Sequence, residues 1–532
     1  MNNSSIAAYI AEGRAVLGVE LGSTCIKAVL IGEDHAPIAS GDHTWENRLE
    51  NGVWTYHLDD VWTGVQDAYA ALSRNVEELY GVKLAKLAGL GISAMMHGYL
   101  PFDKDGNQLC EFRTWRNTMT AKAAEVLTTL FDFNIPQRWS IAHLYQAILN
   151  GEAHLPQLSH LTTLAGYVHW KLTGKQVLGV GEASGMFPVD SESCNYDARM
   201  ARLFDDAVAR KGYGWKLLDV LPAVLNAGED AGSLTPDGAR LLDPTGTLEA
   251  GTPFAPPEGD AGTGMTATNA VAVRTGNVSA GTSVFAMVVL EKPLSKVYPE
   301  IDMVTTPTGK PVAMVHCNNC TSDINAWAGV LAGFAKASGL TVSMGDIYTA
   351  MFTSALEGDK DCGGVINVPL LSGEPVVDLN EGRPMMIRTP DAALTFANFS
   401  RSLVAGAMSS LKLGMDILAK ENVQIDSLLG HGGYFKTPVA GQKILADSLN
   451  TPISVMETAG EGGPWGMALL AAYRVNKAEG QTLEAYLNEK VFATAKSSTV
   501  APDQADVEGI ERYTRQFVAA LPAEKAAIEH IQ

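Results

Sequence analysis

Basic side chains are scarce in this sequence. Its 532 residues hold 39 Lys and Arg against 59 Asp and Glu, a formal net charge of −20. A surface so acidic repels nucleic-acid backbones and anionic membranes, so no nucleic-acid or membrane partner is expected. Any phosphate it binds must be held by backbone amides, hydroxyls, helix N-termini or a cation. Cysteine is sparse too: Cys25, Cys110, Cys194, Cys317, Cys320 and Cys362 are too few for a disulfide framework, and several lie in apolar runs where reduced Cys acts as a small hydrophobe. No uncharged apolar stretch reaches the roughly 18 residues of a membrane helix. The opening segment MNNSSIAAYIAEGRAV lacks the basic and apolar regions of a secretory signal. A cytoplasmic protein in a reducing compartment is expected.

Several motifs are missing as well. There is no G-x-x-x-x-G-K-[ST], which excludes a P-loop enzyme, and GLGISA at 89–94 fits a dinucleotide fingerprint only inside a strand, where it has no helix to open. Cys317-Asn318-Asn319-Cys320 is a single C-x-x-C without a second pair at zinc spacing, so it reads as pocket wall or core.

What is present is an ordinary globular composition, 46% hydrophobic and 18% charged, long enough for two large lobes or several smaller units. Strand, turn and strand over 16–30, an extended segment near 37–45, a helix over 58–79 and a strand over 87–94 give an α/β pattern. Helical periodicity dominates 120–175 and 200–245. The opening theme then recurs in TGNVSAGTSVFAMVVL (275–290), which predicts two similar α/β lobes. The run FANFSRSLVAGAMSSLKLGMDILAKE predicts one long amphipathic helix with Phe399, Leu403, Ala407, Leu411 and Leu418 near one face. Domains are expected at 1–265 and 266–496, with residues 497–532 a linker and C-terminal surface helix.

Candidate chemistry concentrates at turns. Gly22, Ser23 and Thr24 form one small hydroxyl-bearing hairpin turn, Gly281, Thr282 and Ser283 another, and each offers N–H and O–H groups to a phosphate. As single features they read equally well as plain hairpin turns; their duplication favours phosphate. Asp260, between Gly259 and Ala261 before a helix start, is either a proton acceptor for a substrate hydroxyl or a helix N-cap. His97, at the end of GISAMMHG, is a candidate polyol ligand or a structural residue. Trp115, Arg116 and Asn117 offer an aromatic face with polar tips suited to a sugar, or else a Trp buried at a seam. The glycines of HGGYF (431–435) allow close approach to a flat ligand, and Gly460, Gly462 and Gly463 precede a helix whose N-terminus favours anions.

Taken in order, GVELGSTCIKA, GISAMMHG, the Trp115 loop, EASG (182–185), EGDAGTGM, VSAGTS, VPLLSGE, GHGGYFKTP and ETAGEGGPWGMALLAAY resemble the FGGY carbohydrate kinases, in particular their ketopentose kinase branch. The resemblance runs from residue 16 to about 475. It implies two ribonuclease H-like lobes of the actin, hexokinase and Hsp70 superfamily with an interlobe cleft, closing over a sugar and Mg²⁺-ATP. It implies phosphate binding by Gly22–Thr24 and Gly281–Ser283 and a catalytic base at Asp260. It further implies a sugar pocket lined by Met96, His97, Gly98, Trp115 and Asn117, and an adenosine end near Gly432, Gly433 and Lys436. Glu20, on the lip of the first turn, is expected to hold Mg²⁺ directly or through water, with hydrogen bonding to turn amides as the alternative. Lys27, in the second strand, is expected to be structural or to face solvent.

The sequence departs from the family pattern at Glu20, where Asp is usual, at Met95 for Gln, at Asn117 for Asp and at Ala261 for Asn. WSIAHLYQA (139–147) stands where a Lys-containing segment is usual. Three of these changes fall on the sugar side, so D-xylulose, L-ribulose or another ketose or polyol remain open as acceptors. A non-catalytic ATP-binding sensor of the same superfamily is the competing reading. A homodimer is one expected assembly.

Overall fold

The computed structural model describes residues 2–456 and 462–531. It divides into two compact units. The first comprises residues 1–271, 303–312 and 461–494; the second comprises 272–302, 313–460 and 495–532.

The first unit is built on a five-stranded sheet. Its central strand Val16–Leu21 pairs antiparallel with Cys25–Ile31, which pairs antiparallel with Pro37–Thr44. On its other side lies the parallel strand Gly89–Ala94, and beyond that the short parallel strand Glu258–Gly259. All six residues of Gly89–Ala94 are buried, as expected of a parallel strand covered on both faces. The helix Leu58–Tyr80 lays Val61, Val65, Ala68, Leu72 and Val76 on its buried face and stops at Gly81, whose left-handed φ of 69° suits glycine. The three parallel strands end at one edge, where α/β sheets present ligand-binding loops.

The helix Gly462–Asn476 returns from the far end of the chain to pack on this sheet. Its backbone comes so close that a methyl group on Gly18 would lie 2.1 Å from the Pro464 carbonyl oxygen and 2.5 Å from the Ala468 nitrogen. On its other side a methyl group on Gly466 would lie 2.1 Å from the Thr263 carbonyl oxygen. The expected continuous second lobe over 266–496 is therefore corrected: its last segment completes the first unit, because these backbones meet without side chains between them.

The second unit repeats the plan. Thr275–Ala280 and Val284–Val289 form the hairpin, and Thr275–Ala280 pairs parallel with Ser427–His431. Successive neighbours in its sheet include Pro311–Cys317, Val284–Val289, Thr275–Ala280, Ser427–His431, Ile453–Met456 and Ser497–Val500. Residues 497–500 are thus an edge strand paired with Ile453–Met456, correcting the expected linker. The C-terminal helix Gln504–His530 buries Val507, Ile510, Tyr513, Phe517 and Ala520, so it is part of this unit's core.

The predicted long helix over 396–421 is two helices, Phe396–Gly406 and Ser409–Lys420, bent by 52°. At the break Met408 N–H donates to Ala405 O, an i−3 bond that interrupts the α-helical ladder. Gly406 lies tight against the Tyr513 hydroxyl and the Asn367 carbonyl, so the chain turns where bulk is not tolerated. Among the described residues no single helix is long and apolar enough to cross a membrane.

Candidate active site

In the first unit, strand pairing assembles the acidic residues. Register places Glu20 opposite Ser93 on the parallel strand and opposite Lys27 on the hairpin partner, with Glu258 across Ser93 from the other side. Asp260 follows directly as the first residue of the helix Asp260–Ala267. Its Oδ1 accepts the backbone N–H of Met96 at 3.2 Å and of Ala261 at 3.0 Å. One carboxylate therefore secures both its own helix start and the Met95–Gly98 loop; the N-cap position read for it belongs to Gly259, and Asp260 is the first residue of the helix. Asp260 is exposed, yet enough protein surrounds it that burial raises its carboxyl above the usual range, opposed by those amides and by the charge of Arg138.

Among the described residues Glu20 receives long hydroxyl bonds, from Thr263 at 3.4 Å and Ser93 at 3.5 Å. Burial, with the like charge of Asp260, pushes it up to about 8, while the Thr263 hydroxyl, Lys27 and the Ser93 hydroxyl oppose the shift. Its Oε2 stands where a β-carbon on Gly463 would be, 1.5 Å from that ideal position. The group that meets the first turn of the Gly462–Asn476 helix is thus the Glu20 carboxyl, set against Gly463. Gly460 lies outside the described residues. Lys27 is exposed, as expected.

The first hairpin turn is held by residues the motif does not contain. Trp45 donates its indole N–H to Gly22 O at 2.7 Å and its backbone N–H to Thr24 O, and the Tyr56 hydroxyl donates to Ser23 O at 2.6 Å. The Trp45 and Tyr56 rings stack at 4.1 Å. All three turn carbonyls are thereby occupied, and Ser23 and Thr24 remain exposed. Carbonyl dipoles repel an anion; with them tied back, and the Gly22 N–H spent on Cys25 O, the exposed donors of the turn are those of Ser23 and Thr24.

The loop 95–98 is densely packed. Met96 and His97 are buried against Gly185 and Gly259, whose positions would admit no β-carbon. His97 has a left-handed φ of 70°, its Nδ1 lies 3.0 Å from Gly185 O, and its ring stacks on Trp139. Gly98, at φ 99°, lies against Phe112. Trp115 is 38% exposed, so it is not a buried seam residue. Asn117 is buried and donates both amide hydrogens, to Trp54 O and Thr114 O, while its Oδ1 accepts Trp54 N–H. It clamps the Trp54 strand and could meet a sugar only as an acceptor, through the second lone pair of Oδ1.

In the second unit the Gly281–Ser283 turn is held in the same manner. Cys320 N–H donates to Thr282 O, and Thr321 donates to Gly281 O from both its backbone N–H and its hydroxyl. Thr282 is exposed. Cys317 and Cys320 are buried with thiols pushed up by burial, which makes the C-x-x-C segment a wall behind the turn. Among the described residues no cluster of His, Cys, Asp and Glu could hold a metal unaided. Because Ser279 aligns with His431 on the parallel strand, Gly432, Gly433 and Lys436 come to the same sheet edge as this turn. Gly432, at φ 104°, abuts the Ala280 carbonyl; Gly433 and Lys436 are exposed.

Asn319, inside the same wall, donates its backbone and side-chain N–H groups to Glu374 Oε2, and its Oδ1 accepts Leu371 and Ser372 N–H. Burial raises Glu374 to about 7 from the usual 4.5. The folded state therefore binds more protons than the unfolded one between those values. The resulting stabilisation is complete below about 4.5 and lost as pH rises through 7, up to about 3 kcal/mol in all. Glu374→Gln, permanently neutral, is expected to flatten the fall in unfolding free energy between pH 5 and 8; an unchanged slope would refute the assignment.

Sequence reading missed Arg138, Thr263, Glu182 and the Trp45–Tyr56 clamp. Thr263 was accessible as the i+3 neighbour of Asp260 on a helix. Glu182 lies in the quoted EASG segment; it is fully buried, and burial raises its carboxyl strongly, opposed by the Thr163 hydroxyl.

The models of the N-terminal and C-terminal domains of the FGGY family of carbohydrate kinases match residues 15–265 and 276–475. A xylulose kinase from Haemophilus influenzae is 20% identical over 443 residues, 81% of this chain and 84% of that protein. A xylulose kinase from Klebsiella pneumoniae is 23% identical over 442 residues, 78% and 81% of the two chains. Among solved structures, a ligand-bound xylulose kinase from Lactobacillus acidophilus superposes with a TM-score of 0.78 at 15% identity, covering 98% of this chain and all of that one.

Proposed function

Because this chain belongs to the FGGY family of carbohydrate kinases, and is a sugar kinase using ATP, we propose that its acceptor is a ketopentose, D-xylulose in the first instance. The observation that carries the chemistry is Asp260, fixed through one oxygen by two backbone amides at the edge of the sheet. The names of the relatives, and the Met-His-Gly loop, favour xylulose over L-ribulose.

In this reading the sugar hydroxyl oxygen forms a bond to the γ-phosphorus while the bond to the β,γ-bridging oxygen breaks and leaves ADP. The hydroxyl proton passes to Asp260. The exposed donor sides of the Gly22–Thr24 and Gly281–Ser283 turns hold phosphate oxygens, Gly432, Gly433 and Lys436 flank the nucleoside, and Trp115 with the 96–98 loop bounds the sugar. A divalent cation suits Glu20, whose carboxylate has, among the described residues, two long hydroxyl bonds and a like-charged neighbour. Magnesium held there, directly or through water, would supply charge neutralisation of the nucleotide phosphates.

Release of ADP measured across ketoses, aldoses and polyols tests the proposal. D-xylulose is expected to give the highest kcat/KM. A higher value for another acceptor replaces the substrate, and no stimulation by any sugar overturns the kinase reading in favour of a sensor.

A further inference from the structure

We propose that Arg116 is a further catalytic residue, whose guanidinium meets the phosphoryl group as it passes from ATP to the sugar; this rests on the kinase reading above. The segment 113–117 carries two arginines with opposite fates. Arg113 is buried and donates to both oxygens of Glu152, at 3.1 and 2.6 Å, so its charge is spent. Arg116 is exposed, and among the described residues its guanidinium enters no hydrogen bond or ion pair. It lies over the Trp54 ring instead, its central carbon 3.7 Å from the ring centroid. Contact with a ring uses charge and not donors, so the N–H groups of Arg116 stay available.

The mount is fixed from several sides. Asn117 clamps Trp54 through both backbone groups, Thr114 N–H donates to Trp54 O, and Asn117 N–H closes a turn on Thr114 O. Trp115 and Arg116 are the central residues of that turn, and both are exposed. Trp54 stands two residues before Tyr56, whose hydroxyl donates to Ser23 O at 2.6 Å. The charge of Arg116 reaches that hydroxyl: burial raises the Tyr56 pKa, and Asn47 and Arg116 oppose the shift. The cation thus adjoins both the first turn, with its exposed Ser23 and Thr24, and Trp115 on the sugar side. In phosphoryl transfer, negative charge spreads over the three oxygens outside the bond being made and the bond being broken. A guanidinium with an open fork takes two such oxygens at once, which a chain with so few basic side chains has little else to do. A neutral ketopentose gains little from a full positive charge, whereas its phosphate ester gains much. Arg116 therefore acts on the group transferred and not on the sugar that receives it.

The test compares Arg116→Gln and Arg116→Lys with the unmodified protein, using the acceptor that gives the most ADP release. Arg116→Gln is expected to lower kcat by about 100-fold or more while the KM of the sugar stays within roughly threefold. Inhibition by the phosphate ester of that sugar should weaken roughly tenfold or more, and guanidinium ion added to the solution should restore part of the lost kcat. Arg116→Lys keeps the charge without the fork and should fall between the two. Circular dichroism spectra of both variants should be unchanged. Near-normal kcat in Arg116→Gln overturns the proposal. So does a KM for the free sugar that rises as much as the inhibition constant of its ester, which would make Arg116 a wall of the sugar pocket. Should no sugar stimulate ADP release, the kinase reading falls on its own, and calorimetric titration with inorganic phosphate still decides for Arg116. Roughly tenfold weaker phosphate binding by Arg116→Gln supports its role towards the phosphoryl group, and equal binding overturns it.

Discussion

Asp260→Asn is expected to lower kcat by about 100-fold or more and to leave ATP binding nearly unchanged, the signature of a lost general base. A 100-fold loss corresponds to about 2.7 kcal/mol of transition-state stabilisation. The substitution is informative because of how the carboxylate is held. Both amide bonds fall on Oδ1, which the Asn carbonyl oxygen reproduces, so the 95–98 loop and the helix start keep their anchor. What the variant lacks is an oxygen able to take a proton. Since burial raises the Asp260 carboxyl, the acid limb of the wild-type rate profile is expected above the usual carboxylate range, and the residual activity of Asp260→Asn should not show it. A folded variant with near-normal kcat would remove Asp260 from the mechanism.

Gly18→Ala should be among the most damaging single methyl additions to the first unit. The new carbon would lie 2.1 Å from one backbone atom and 2.5 Å from another, and backbone cannot step aside as a flexible side chain does. Overpacking of this kind costs about 3 kcal/mol or more. The helix Gly462–Asn476 would have to withdraw from the sheet, taking Gly463 from Glu20 and Gly466 from Thr263. Stability and turnover are therefore expected to fall together. Gly214→Ala, where nothing lies within 4 Å and φ is ordinary, should leave the melting temperature within a degree or two. Equal melting temperatures for the two variants would refute the packing argument.

The sheet strands were legible because their signals are local: Val16–Leu21, Cys25–Ile31 and Gly89–Ala94 are apolar runs bounded by turns, and the second hairpin repeats the first. The two small turns were legible as hairpin turns for the same reason. The groups that hold them were not, because Trp45, Tyr56, Cys320 and Thr321 reach them through space from segments with no motif of their own. The clamp that Asn117 makes was not legible either, since its residue type suits a sugar and a backbone partner equally and only the position of Trp54 shows the second. The bend after Gly406 escaped the periodicity of 396–421 because two helices in sequence keep the apolar spacing of one. Segment ownership escaped entirely: nothing in GGPWGMALLAAY states that its sheet was laid down by residues 16–21.

That ownership has a consequence for how the chain is made. A ribosome that has delivered residues 1–271 has released every strand of the first sheet, yet the helix that covers Gly18 is among the last segments to emerge. Until then the nascent first unit exposes an uncovered sheet, and the contacts that complete it are among the longest in sequence separation, hence slow to form. A truncated product ending before residue 462 should be retained by chaperones or degraded, whereas a circularly permuted gene that places residues 461–494 ahead of residue 1 would let the unit close as it is synthesised.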